Sequence, residues 1–176
     1  LYVPKDENQL LESLLQVINI NQKKNKNTVV IVPEILSSYK IENVIRKNTL
    51  LSVALINSQL SIGELLDYYN EIKNDSYAVI VTTAKGALLP YQNIGTYFLL
   101  DSESDNYYND QSPRYDLHKV MEYVSNITHS HIIRVSYVPT ILEYTYGLKG
   151  HLDIVEDFDK NIEVKTEIIT NLQFFF

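Results

Sequence analysis

Residues 28–32 read TVVIV, and this short run decides the fold. Five apolar or β-branched residues in a row, bounded by the polar stretch 21–27 and by Pro33, suit a strand buried on both faces of a parallel sheet. Upstream, residues 7–20 (ENQLLESLLQVINI) carry apolar side chains at 10, 11, 14, 15 and 18, which is helical spacing, and the stripe of Leu11, Leu14, Leu15 and Ile18 reads as core. Downstream, the pattern predicts a helix over 35–47, a buried strand over 50–56 (LLSVALI) and a helix over 62–74. Ser61 and Glu64 have the spacing of a capping box at the start of that helix. Strands follow at 78–82 (AVIVT), 96–100 (TYFLL) and 131–136 (HIIRVS), the first two separated by a loop with Gly86, Pro90 and Gly95. Residues 101–113 read as a polar loop, 114–127 and 140–146 as helices, and 151–170 as two strand-like pieces separated by 157–161. Strands alternating with helices imply an α/β fold, a mostly parallel sheet with helices on both faces.

Composition sets outer bounds. A chain of 176 residues with 45% hydrophobic and 21% charged residues is one ordinary globular domain rather than a disordered segment. The absence of cysteine excludes disulfides, thiolate metal sites and cysteine nucleophiles, and four histidines make a zinc fold unexpected. A formal charge of −7 leaves no global basic field, so nucleic acid would need a local patch. No apolar run approaches the roughly 20 residues of a membrane span, so no membrane partner and a cytoplasmic location are expected. Twelve lysines against three arginines, with abundant Asn, Ile and Tyr, point to an AT-rich genome. A start at Leu1 and an end at Phe174, Phe175 and Phe176 suggest a piece of a longer protein.

In such a sheet, ligands sit beyond the carboxyl ends of the strands. The residues to inspect are therefore Glu34, the segment 82–85 (TTAK), the segment 101–104 (DSES) and the segment 136–139 (SYVP). An apolar strand ending in carboxylates suits a magnesium–nucleotide pair, since hard cations take carboxylate oxygens; a solvated acidic loop has the same pattern. His129 and His131 would share a face if both lay in a strand, but no third ligand is apparent and they read as structural or surface residues. The run 23–26 (KKNK) reads as a solvated turn, and residues 126–128 (NIT) fit a glycosylation acceptor without meaning in a cytoplasmic protein.

Several of these segments occur in a recognisable order. VPEI at 32–35, NSQLSIGE at 57–64, VIVTTAKGALLPYQNIG at 79–95, the stretch 101–115 and VSYVPTILE at 135–143 resemble the PriA family of primosomal replication-restart helicases. That family reads VPEI, LHSGLSxxER, IVIGTRSALFxPxxNLG, a DEEH box with a Tyr-containing loop ending in PRYHARD, and GSATPSLES. The resemblance covers about residues 7–150 and lacks one residue before Pro113. It implies the first RecA-like lobe of a superfamily 2 helicase over 1–150, with 151–176 leading toward a second lobe.

The departures from the family concentrate on the nucleotide side. The phosphate-cradling GSGKT would fall on Glu7, Asn8, Gln9, Leu10 and Leu11, none of which is Gly, Lys or a hydroxyl residue. DEEH becomes Asp101, Ser102, Glu103 and Ser104, leaving Asp101 and Glu103 as remnant cofactor-binding residues without the carboxylate that would act on water. GTR becomes Thr82, Thr83 and Ala84, and GSAT becomes residues 135–138 (VSYV), with bulk in place of small side chains. The resemblance thus implies a degenerate lobe in DNA replication restart, a DNA-binding or docking scaffold without a cofactor and without ATP hydrolysis. ATP and magnesium would belong to the alternative of an active 3′–5′ DNA helicase; a protein-interaction module binding neither ATP nor DNA is the third reading. Tyr108, Arg114 and Tyr115 match the family's aromatic-rich loop, and with Lys85 they are the candidates for single-stranded or forked DNA, by stacking and phosphate contact. Lys119 would add positive charge, and Tyr107 and Tyr108 read equally well as residues covering the sheet edge. Replication-restart proteins are the implied protein partners.

Overall fold

The computed structural model describes residues 1–150 and 153–156. In chain order the elements are β1 (Tyr2–Val3), α1 (Glu7–Lys23), β2 (Asn27–Val32), α2 (Ile35–Asn48), β3 (Val53–Ile56), α3 (Ile62–Lys73), β4 (Val79–Thr83) and β5 (Ile94–Leu99). They are followed by β6 (Tyr108–Asn109), β7 (Tyr115–Asp116), α4 (Leu117–Thr128), β8 (His131–Arg134), α5 (Ile141–Leu148) and β9 (Val155–Glu156). Five strands form one parallel sheet in the order β3-β4-β2-β5-β8. The predicted α/β sheet with helices on both faces is the fold observed.

All six residues of β2 are buried. Val30 and Val32 face a core layer with Leu10, Leu14 and Ile18 of α1 and Ile41 and Ile45 of α2. Val29 and Ile31 face the opposite layer, with Ile72 of α3 and Leu117 and Met121 of α4. The period-two alternation of a central strand therefore feeds two separate cores. The capping box at Ser61 is present: Glu64 N–H donates to Ser61 Oγ at 3.3 Å, and Ser61 N–H donates to the Glu64 carboxylate at 2.8 Å.

Several expectations need correction. The strand expected over 50–56 begins only at Val53, because Leu50 points into solvent. The helix expected from residue 114 begins at Leu117: Tyr115 and Asp116 pair antiparallel with Asn109 and Tyr108, and the Asp116 side chain caps α4 by accepting from His118 N–H at 3.0 Å. The loop over 101–113 thus contains β6 and a 3-10 turn at Asp105–Tyr107. His129 ends α4 in the left-handed region (φ +51°) while His131 opens β8, so the two do not share a strand. Unforeseen was β1, which touches Val135 at the sheet edge and pairs in parallel with β9. The second strand-like piece of the tail and Phe174, Phe175 and Phe176 lie outside the described residues.

Two glycines in the segment 79–95 are required by close approach. A Cβ on Gly86 would lie 2.1 Å from Thr82 Oγ1 and 3.0 Å from Ile56 Cγ2, and one on Gly95 would lie 2.5 Å from Asn21 Oδ1. Tyr91 closes the turn by donating its hydroxyl to Gly86 O at 2.5 Å. Gly86→Ala is expected to destabilise the fold by about 1–3 kcal/mol through overpacking. A chemical-denaturation midpoint equal to that of the unsubstituted chain would contradict this packing.

Candidate functional site

The carboxyl ends of β2, β5 and β8, together with the start of α1, enclose a cleft of about 220 Å³ lined by Glu7, Leu10, Leu11, Val32, Ser37, Lys40, Ile41, Leu100, Asp101 and Tyr137. This is where the sheet rule places a ligand. Its chemistry is set first by the β1–α1 connection, which is only Pro4, Lys5 and Asp6. Pro4 has no N–H to offer. Asp6 is the N-cap, and its carboxylate accepts from Gln9 N–H at 2.9 Å, while Lys5 N–H donates to Gln9 Oε1 at 2.6 Å. Glu7, in the first turn of α1, ion-pairs with Lys40 at 2.5 Å. The helix start is therefore occupied by the chain's own carboxylates, which compensate its positive end.

Asp101, two residues after the end of β5, has a left-handed backbone (φ +49°), a conformation Asp tolerates better than most residues. Burial, then Glu103 and Glu34, raise its carboxyl above the usual range, against a smaller opposing pull from Lys40. Burial, followed by Glu7, Asp101 and Asp6, likewise raises the Tyr137 hydroxyl at the cleft rim. Burial is the larger cause of both shifts, and the neighbouring carboxylates add to it. Ser102 is buried, and its Oγ donates to Glu143 Oε1 at 2.9 Å, tying β5 to α5. Glu143 is itself held by a capping box with Thr140.

These residues do not fit a magnesium–triphosphate. There is no glycine cradle and the one lysine lining the cleft is neutralised by Glu7, while the field at Asp101 and Tyr137 repels phosphate. Asp101 and Glu103 offer hard oxygens, yet among the described residues no group of three or more His, Cys, Asp or Glu side chains is arranged to hold a metal ion.

Of the four residues expected at nucleic acid, Tyr108, Arg114 and Tyr115 lie on or beside the β6–β7 hairpin, while Lys85 lies in a separate hollow. Lys85 is exposed in a hollow of about 430 Å³ with Pro33, Glu34, Ser58, Thr83 and Asn106, beyond β2 and β4. Tyr108 is exposed on the far side of a larger groove, which contains His118 and Glu122. Tyr115 is half-buried in β7, and Arg114 donates Nε–H to Asp110 O at 2.9 Å. Lys119 is within 4.0 Å of Asp116. Tyr107 is a core residue: its hydroxyl donates to Leu100 O at 2.6 Å and lies 3.1 Å from Ile31 O, anchoring the loop to β2 and β5. Of the two readings of this tyrosine pair, covering the sheet describes Tyr107 and exposure describes Tyr108.

Sequence reasoning did not single out Arg134, His118 or Glu143 as a group. Arg134 is buried in β8 and bonds Glu122 of α4, and His118 Nδ1 lies 3.0 Å from Asp116 Oδ1. An arginine inside the apolar run HIIRVS, and a Glu three residues after Thr140, were the available signals.

No protein-family model matches the chain. Over 144 residues, 82% of its length, it is 25% identical to the replication restart protein PriA of Bacillus subtilis (strain 168). Over 134 residues, 76% of its length, it is 23% identical to the replication restart protein PriA of Helicobacter pylori (strain J99). The chain is PriA-like in sequence. It spans 18% and 22% of those two proteins. Among solved structures, the C-terminal domain of S. cerevisiae Dbp5 bound to Gle1 and IP6 superimposes with a TM-score of 0.63 at 9% identity, covering 88% of this chain and 86% of that one. Mss116p helicase domain 2 bound to an RNA duplex gives 0.61 at 12% identity, covering 86% and 59%. The Pyrococcus furiosus Hef helicase domain gives 0.54 at 16% identity, covering 78% and 28%. The fold of this PriA-like chain is that of a RecA-like helicase domain. Among the described residues no helix is long and apolar enough to cross a membrane.

The raised carboxyl of Asp101 makes a pH prediction. A folded-state pKa above the unfolded one means that protonation stabilises the fold: the contribution is present below the usual carboxylate pKa and is lost as pH rises through the raised value. Asp101→Asn, which removes the charge and keeps a residue suited to positive φ, is expected to raise the thermal midpoint at neutral pH by about 1–2 °C, a figure held small because the group is half exposed. The gain should vanish as pH falls into the range where Asp101 is protonated. A gain that grows on acidification would contradict the electrostatic reading.

Proposed function

We propose that this chain is the first RecA-like lobe of a PriA-like protein, acting in DNA replication restart in the cytoplasm as a docking scaffold that does not hydrolyse ATP. The observation that carries the reading is the Asp6 cap on α1, with Glu7 bound to Lys40, at the place where the fold receives a triphosphate. A helix start capped in this way has its Gln9 amide already bonded and its nearby lysine already paired, with carboxylates facing any incoming phosphate.

Docking is favoured over strand binding by the charges around the aromatic loop. Glu103, Asp105, Asp110 and Asp116 surround Arg114 and Tyr108 in the chain, and such a surface opposes a phosphate backbone. In this reading no cofactor is used, and the partners are other replication-restart proteins.

The test is ATP turnover and fork-DNA binding by the 176-residue chain, measured together at low salt. No turnover above background and no saturable fork binding are expected. Turnover abolished by Asp101→Ala would instead make the lobe an active ATPase. Salt-sensitive fork binding weakened about tenfold or more by Arg114→Ala would return the lobe to a DNA-binding role.

A further inference from the structure

A groove of about 740 Å³ lies between the loop after β5 and helices α4 and α5. We infer that this groove docks a basic segment of a partner polypeptide, one carrying Lys or Arg beside aliphatic or aromatic residues. The inference rests on the docking reading above and assigns that reading its surface and its partner chemistry.

Three observations converge on this occupant. The lining holds five carboxylates, Glu103, Asp105, Asp116, Glu122 and Glu143, against two cationic side chains, Lys119 and Arg134. Arg134 is spent on Glu122 at the groove wall, and Lys119 reaches only Asp116, so the charge offered to an incoming chain is negative, with exposed Glu103 and Asp105 at its edge. The same groove presents exposed apolar surface: Tyr108 is 59% exposed and Leu142 60%, with Tyr146 also lining it. The third observation is His118. Its Nδ1 lies 3.0 Å from the Asp116 carboxylate, and with the ring proton on Nδ1 the Nε2 atom is a lone-pair acceptor. Nε2 is buried and has no hydrogen-bond partner. A buried acceptor without a donor is costly, and a lysine or arginine N–H entering the groove would satisfy it.

Charge, apolar walls and an unmet acceptor all ask for a donor cation on an apolar stem, which is the chemistry of a basic polypeptide segment. The same charges repel nucleic acid, whose phosphates would meet Glu103 and Asp105 first.

The probe is a short fluorescein-labelled peptide of alternating arginine and leucine, titrated with the 176-residue chain near physiological salt and read by anisotropy. Saturable binding is expected, weakened about tenfold or more by Glu103→Lys with Asp105→Lys. The control Glu12→Lys with Asp67→Lys makes the same change of net charge on exposed positions of α1 and α3, and is expected to change affinity by less than about twofold. His118→Phe, which keeps the ring and removes the acceptor, is expected to weaken binding a few-fold. Equal loss in the two charge-reversed variants, no saturable binding, or displacement of the peptide by single-stranded DNA would overturn the inference. All of these substitutions fall outside the α1 cleft. Loss of peptide binding in a chain without ATP turnover therefore sinks only the groove, and turnover in a chain that still binds peptide sinks only the non-hydrolysing reading.

Discussion

A strand buried on both faces must be covered by two layers of helices, and β2 imposes that requirement on everything around it. Its odd and even positions feed different cores, so α1 and α2 are committed to one face and α3 and α4 to the other. The neighbours follow from backbone pairing: β4 and β5 flank β2, and β3 and β8 complete the sheet. With every connection committed, the carboxyl ends of β2, β5 and β8 converge on the start of α1. The position of the cleft is thus a consequence of core packing, whatever side chains then line it.

The side chains give the cleft its character. In a nucleotide-binding lobe the helix N-terminus is left open for phosphate by glycines. Here the same position carries a carboxylate cap on the Gln9 amide, a second carboxylate on the local lysine, and tyrosine at the rim. Carboxylates run from Glu7 through Asp101 to Glu103, and more of them line the groove on the other side of Ser102 and Glu143. The buried Ser102–Glu143 bond links the two hollows, since it stands at the end of β5 and fastens α5 against it. A residue position that would carry a catalytic carboxylate in the PriA family serves here as a hydroxyl tie between a strand and a helix.

Much of this was legible in the sequence because its causes are local. The TVVIV run and the Ser61–Glu64 box each contain their own explanation and lie where the pattern placed them; the α1 stripe holds at Leu14 and Ile18, but its third buried apolar residue is Leu10 rather than Leu15. What was not legible depends on distant partners. Two residues of β1 carry no periodicity, and their pairing with Val155 and Glu156 crosses almost the whole chain. The β6–β7 hairpin is built from polar residues, and the Tyr107 hydroxyl that anchors the loop reaches Leu100 and Ile31 only in the folded state. The start of α4 was readable from Asp116 as a cap, yet the helical period was extended three residues too far. The groove was hidden for the same reason as β1, since Arg134, Glu122, His118 and Asp116 become one surface only when β8 packs on α4.

The central claim is that the start of α1 is closed to phosphate by its own side chains. The most direct measurement is an amide chemical-shift titration of the 176-residue chain with magnesium ATP, watching Glu7, Asn8 and Gln9. The account predicts that these resonances stay in place up to millimolar nucleotide. Saturable shifts confined to these amides and Asp101 would contradict it.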